Sequence, residues 1–166
     1  QQLTQPKLIM ICTNDQYWPL DSLNLYWNGL VGQKYILYVP NNGHGLHDLP
    51  RLVGTLGALH RQAAGGQPMP KLAWKHQRNG TKHTLRVTSD VPPHKVNVWI
   101  ATSPTRDFRQ AKWSSRPAKA DGDAYVYDLD IPTDGYAALF GDKPLSLPMR
   151  HRSQRSRRHY RRHCRR

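Results

Sequence analysis

The sequence predicts an α/β segment of βαβα order followed by an all-β sandwich. Two near-continuous apolar runs lie near the N-terminus, helix-spaced apolar residues follow each of them, and short alternating runs take over beyond a Gly/Pro cluster near residue 66. The first run is Lys7-Leu8-Ile9-Met10-Ile11-Cys12 and the second is Lys34-Tyr35-Ile36-Leu37-Tyr38-Val39-Pro40. Runs of this length that do not alternate fit parallel strands covered by helices on both faces.

Between the runs, Leu23, Tyr26, Trp27 and Leu30 fall at i, i+3, i+4 and i+7 and form one helical stripe. Asp21 or Ser22 is placed to cap that helix and Gly32 to stop it. After the second run Leu49, Leu52, Val53, Leu56 and Leu59 repeat with helical spacing; Pro50 suits a first turn and Gly65-Gly66 ends the pattern. Residues 6 to 66 therefore read as βαβα, with a right-handed crossover joining two parallel strands.

Each apolar run leads into a residue with acid–base chemistry. The first exits through Thr13-Asn14-Asp15-Gln16-Tyr17-Trp18-Pro19 and the second through Asn41-Asn42-Gly43-His44-Gly45-Leu46. On adjacent parallel strands both exits lie at the same sheet edge. Asp15 and His44 can then hydrogen bond, which is the orienting half of an acid–histidine–nucleophile triad. Taken alone, Asp15 suits a loop or a helix cap, and a single His44 suits a surface. Their order, their positions at strand ends and the glycines on either side of His44 favour the triad reading.

This layout, PKLIMICTNDQYWP, then a helix, then KYILYVPNNGHGL, resembles the last two strands of an α/β-hydrolase. Its wording is most similar to the PhoPQ-activated pathogenicity-related protein family, over about residues 6 to 147. The resemblance implies that Asp15 is the triad acid and that Asn42-Gly43-His44-Gly45-Leu46 carries the triad histidine. It also implies an appended β domain. The sequence departs from the pattern in one respect: hydrolases of this kind place a serine in a GxSxG elbow before the acid, and no GxSxG occurs here. The nucleophile and its oxyanion donors are expected upstream, so the chain reads as the C-terminal part of a serine hydrolase-like protein, inactive alone. Its substrate, a small molecule or a peptide, is not specified by the fold.

Helical periodicity stops at Gly65-Gly66-Gln67-Pro68-Met69-Pro70. Beyond it, residues 72–76, 84–88, 95–101, 124–129 and 136–140 are short strand-like runs with turns at Asn79-Gly80 and Asp121-Gly122. This spacing suggests an immunoglobulin or fibronectin type III-like sandwich. Val96, Val98 and Ile100 share one strand face, leaving Asn97 and Trp99 on the other. Trp99 and Trp113 then cover sheet surface or an interdomain seam, with a carbohydrate-stacking platform as the alternative. The expected organisation is residues 1–66 as the hydrolase part, 67–149 as the sandwich, whose last strand the sequence does not clearly supply, and 150–166 as an Arg-rich disordered tail.

Other chemistries are weaker. His44, His47 and Asp48 form an HxxHD cluster, but no companion ligand set accompanies it, so no metal is expected. No cofactor motif is present. Asp21 is an alternative acid, better explained as a cap. Cys12 and Cys164 suggest neither a disulfide nor a metal site. No signal peptide or membrane-spanning run appears, and with the start of the parent expected upstream the compartment stays open, periplasmic and secreted locations included.

The net charge is +14, and all eleven acids are Asp. Nine arginines lie in residues 150–166, RHRSQRSRRHYRRHCRR; subtracting them leaves +5 on the rest. The abrupt change of composition after Asp142 fits a shifted reading frame in GC-rich coding sequence, and it also fits a polyanion-binding tail. A non-enzymatic basic binding protein, or a sandwich interaction module, is therefore the alternative function. Whatever its origin, nine cations should bind phosphate backbones with steep salt dependence and little sequence preference. Truncation after Asp142 should remove most nucleic-acid retention on a salt gradient; an unchanged salt slope would place the basic surface elsewhere.

Overall fold

A computed structural model describes residues 3–143. The Arg-rich tail and the position of any last sandwich strand lie outside the described residues. The chain begins with β1 (Lys7–Cys12) and β2 (Lys34–Val39), which pair in parallel from Lys7↔Lys34 to Cys12↔Val39. Helix α1 (Leu49–Ala63) follows. Its N-cap is Asp48, whose carboxylate accepts from the Arg51 amide, and Pro50 sits in the first turn, where its missing N–H costs nothing. The helix runs out at Ala64, and Gly65 takes the positive φ of 77° that ends the turn.

The expected βαβα unit of an α/β-hydrolase does not form. Two short 3₁₀ turns, Leu20–Leu25 and Trp27–Gly29, replace the helix between the first two strands, so α1 is the one α-helix among the described residues, against nine strands. The local sequence explains this. Asn24, Asn28 and Gly29 are poor helix formers, and Pro19 occupies the cap position and makes no side-chain cap bond. Neither Asp21 nor Ser22 acts as a cap. The stripe is correspondingly incomplete: Leu23 is buried and Trp27 and Leu30 are partly buried, but Tyr26 is exposed. Gly32 does end the segment at φ 78°, where a Cβ would collide with the Thr4 carbonyl.

The parallel pair is not covered on both faces either. In β2, Tyr35, Leu37 and Val39 are buried while Lys34, Ile36 and Tyr38 are partly exposed. On α1 the buried residues are Leu52, Thr55 and Ala58, whereas Leu49, Val53 and Leu56 from the expected stripe face outward. A predominantly β structure with two parallel strands is therefore what the described residues adopt.

The remaining strands are β3 (Leu72–Asn79), β4 (Lys82–Ser89), β5 (Asn97–Ser103), β6 (Ser114–Pro117), β7 (Lys119–Asp121), β8 (Ala124–Asp130) and β9 (Tyr136–Asp142). They form two antiparallel sheets of order β3-β4-β8-β7 and β6-β5-β9, packed face to face as a sandwich requires. Both hairpin turns predicted from Gly occur, with Gly80 and Gly122 at φ 58° and 59° as first central residues. The short strands β6 and β7 were not legible, because Ser114-Ser115-Arg116-Pro117 and Lys119-Ala120-Asp121 have no apolar alternation.

The β6-β5-β9 sheet has apolar residues on both faces. Val98, Ile100 and Leu139 meet Leu85 and Val87 of β4 and Tyr125 and Tyr127 of β8. On the opposite face Trp99, Ala101, Ala138 and Phe140 pack with Trp113, Leu20 and Tyr38. Trp99 and Trp113 thus lie where the sheet meets the N-terminal segment. Arg51 bridges this seam: its Nη1 donates to Asp142 at 2.7 Å and its Nε to Asp48 at 3.1 Å, with the guanidinium carbon 6.0 Å from the Trp99 ring centre. Burial works against the charged guanidinium, but the two carboxylates outweigh it and raise its pKa further. Arg51→Ala should cost about 1–3 kcal/mol of unfolding free energy, because it leaves the largely buried Asp142 carboxylate without its cation, with the Trp99 indole N–H at 3.4 Å still donating to it. Urea melts should show a lower midpoint with an unchanged slope, and Arg51→Lys should restore part of the loss.

Candidate functional site

The ladder between β1 and β2 continues past the strand ends. Thr13 N–H donates to the Val39 carbonyl and Asn14 N–H to the Asn42 carbonyl, both at 3.0 Å. The two exit loops therefore leave the sheet side by side. Asp15 and His44 are brought together at this edge, with Asp15 Oδ2 3.0 Å from His44 Nδ1.

The two partners differ in exposure. The Asp15 side chain is 10% exposed and the His44 side chain 52%. Burial by itself would push the Asp15 carboxyl up; the Trp18 and Tyr17 amides and the His44 imidazole outweigh it, holding the pKa below 3.8. The amides both donate to Oδ1, at 2.8 Å from Tyr17 and 3.0 Å from Trp18, leaving Oδ2 for the imidazole. A carboxylate facing Nδ1 favours the tautomer with its proton there, which makes Nε2 the lone-pair nitrogen. Among the described residues no serine, threonine or cysteine hydrogen bonds to Nε2.

Neighbouring polar residues hold the loops. Thr13 Oγ accepts from the Asn41 amide at 2.9 Å and donates to Asn14 Oδ1 at 2.8 Å. Asn14 Nδ2 donates to the carbonyls of Arg109 and Ala111 at 3.0 and 2.8 Å. Asn41 makes a two-way contact with the Trp113 backbone, donating to its carbonyl at 2.9 Å and accepting from its amide at 2.8 Å. Asn42 Oδ1 accepts from the His47 amide at 2.9 Å. The 109–113 segment thus braces both loops. Sequence reasoning missed Asn14 and Asn41, because their partners lie 72 to 97 residues away.

The glycines beside His44 play a smaller part than expected. Neither Gly43 nor Gly45 has a positive φ; Asn41 and Leu46 do, at 54° and 50°. Asn tolerates that region, whereas Leu46 is held there by packing on the Cys12, Leu37, Val39 and Leu52 cluster.

The other sequence candidates stay apart from this pair. Asp21 lies in the first 3₁₀ turn. Asp48 caps α1 and pairs with Arg51, and among the described residues no three His, Cys, Asp or Glu cluster as a metal site would need. Burial pushes the Cys12 thiol up, the wrong direction for a nucleophile. No helix among the described residues is long and apolar enough to cross a membrane. A cavity of about 1100 Å³ lies between the Trp27–Tyr38 side and the sandwich; it includes neither Asp15 nor His44. The acid–histidine pair lies outside it, at the strand ends.

A carboxyl held below its ordinary pKa contributes stability that is complete above 3.8 and is lost as pH falls through the lower folded value. Asp15→Asn should therefore flatten the acid limb of the stability–pH curve while leaving its slope near neutrality unchanged. Urea titrations from about pH 3 to 7 would show this; parallel acid limbs in both proteins would mean that Asp15 is not held in its charged form.

Comparison with known proteins adds the family. The model of the PhoPQ-activated pathogenicity-related protein family matches residues 1–109, which include β1, β2, α1 and both members of the acid–histidine pair. No curated protein and no solved structure matches the chain. With the match covering well over half its length, the chain belongs to the PhoPQ-activated pathogenicity-related protein family.

Proposed function

We propose that this chain supplies the acid and the base of a serine hydrolase-like site. The observation that supports this best is the contact between a buried carboxylate and a half-exposed imidazole, Asp15 Oδ2 to His44 Nδ1 at 3.0 Å. In this reading His44 Nε2 takes the proton of a hydroxyl nucleophile as it attacks a carbonyl, then returns it to the leaving group. Asp15 holds the imidazole tautomer and stabilises the imidazolium that forms. Its carboxylate is suited to that role, since two backbone amides and the imidazole favour its charged form. The substrate is a compound with a hydrolysable carbonyl, an ester or an amide.

The reaction needs a hydroxyl within reach of Nε2, and the pattern that this sequence resembles places it in a GxSxG turn that is missing here. The purified chain should therefore not turn over activated short-chain esters. In a longer form of the protein that carries a serine elbow, His44→Ala and Asp15→Asn should each lower kcat by about three orders of magnitude or more, with little change in KM. Turnover by the longer form that survives both substitutions would overturn the proposal. Turnover by the present chain that His44→Ala abolishes would show that the nucleophile lies within it.

A further inference from the structure

We infer that Tyr17-Trp18 is the positioning element of the acid–base pair, with Trp18 holding the His44 ring in the orientation that keeps Nδ1 on Asp15. The inference rests on the reading of His44 as the base. The dipeptide touches both partners by different means. Its backbone amides engage Asp15 Oδ1, which turns Oδ2 toward His44. Its rings bracket the imidazole: Trp18 stacks on it with centres 5.2 Å apart and planes 12° apart, and Tyr17 meets it edge-on at 5.0 Å and 79°.

The imidazole needs such support. It is half exposed, and its one side-chain hydrogen bond among the described residues is the contact to Asp15. One hydrogen bond leaves a ring free to turn about its Cβ–Cγ bond, which would carry Nδ1 away from the carboxylate. A parallel face on one side and an orthogonal edge on another restrict both the tilt and the spin of the ring. The tryptophan π face also favours the imidazolium that the proposed reaction creates, since a cation over an indole is attracted by its quadrupole. Trp18 and Tyr17 are 59% and 65% exposed, so burial of their own surface does not account for their placement.

The test reads the tautomer of His44 from imidazole ¹⁵N shifts in the folded chain. Wild type should show the Nδ1–H form in excess over the Nε2–H form. Trp18→Ala should lower that ratio about two- to tenfold, the factor expected for losing one stacked aromatic contact. Trp18→Phe should restore most of it, because a phenyl face can still stack. The amide shifts of residues 17 and 18 verify that the backbone bonds to Asp15 persist. Should Trp18→Ala fail to fold, Tyr17→Ala and Trp18→Phe are read in its place; no fall in the ratio with Tyr17→Ala would then count against the inference. Asp15→Asn separates the two claims. If Asp15→Asn collapses the ratio and Trp18→Ala does not, the inference about Trp18 is overturned while the acid–base pair stands. If Asp15→Asn also leaves it unchanged, the pairing fails, and the proposed hydrolase chemistry with it.

Discussion

The parallel, in-register pairing of β1 with β2 is the constraint on which the rest of the site depends. It aligns Lys7 with Lys34 and Cys12 with Val39, so the two strands end at the same level. Parallel strands present both C-terminal ends to one edge, which antiparallel strands cannot do. The backbone bonds from Thr13 and Asn14 carry that alignment two residues further, and the acid and the imidazole meet directly beyond it. A slip of one residue would turn the whole buried set of β2 to its other face, so burial of Tyr35, Leu37 and Val39 protects the geometry of the site.

The β6-β5-β9 sheet transmits rigidity from the sandwich to this edge. Alternation along β5 sends Val98 and Ile100 to one core and Trp99 and Ala101 to the other, so a single strand belongs to both. Phe140 rests against Tyr38 with ring centres 4.7 Å apart, and Trp113 rests against Phe140 at 5.3 Å. The Trp113 backbone in turn holds Asn41, three residues before His44. A continuous run of packed and hydrogen-bonded groups therefore leads from the sandwich to the loop that carries the imidazole. Arg51 closes the same seam at the helix, between Asp48 and Asp142.

Charge placement at the site follows from the same geometry. A buried carboxylate is costly unless its oxygens are satisfied, and Asp15 divides them between two amides and one imidazole. The Thr13 hydroxyl, which lies nearby and is buried, donates its proton to Asn14 and accepts from the Asn41 amide. Cys12 is buried in a core and has its thiol pushed up. The groups nearest the pair are therefore engaged in the loops and the core, and the half-exposed His44 imidazole is the open side of the pair.

The sequence by itself determined the elements whose signals are local. Strands β1 and β2, helix α1 with Pro50 in its first turn, the turns at Gly80 and Gly122, and the two faces of β5 all follow from spacing and residue type within a few positions. The ordered pair of Asp15 and His44 was legible for the same reason, since each residue closes an apolar run. What failed was the helix between those runs: four apolar residues at helical spacing were outweighed by asparagines, a glycine and an uncapped start, so short 3₁₀ turns formed instead. Only the tertiary structure decided which apolar faces are covered, that Arg109–Trp113 braces the strand ends, and that Tyr17-Trp18 surrounds the imidazole. Those contacts join residues tens of positions apart, and no periodicity in a single chain records which distant surface a side chain will meet.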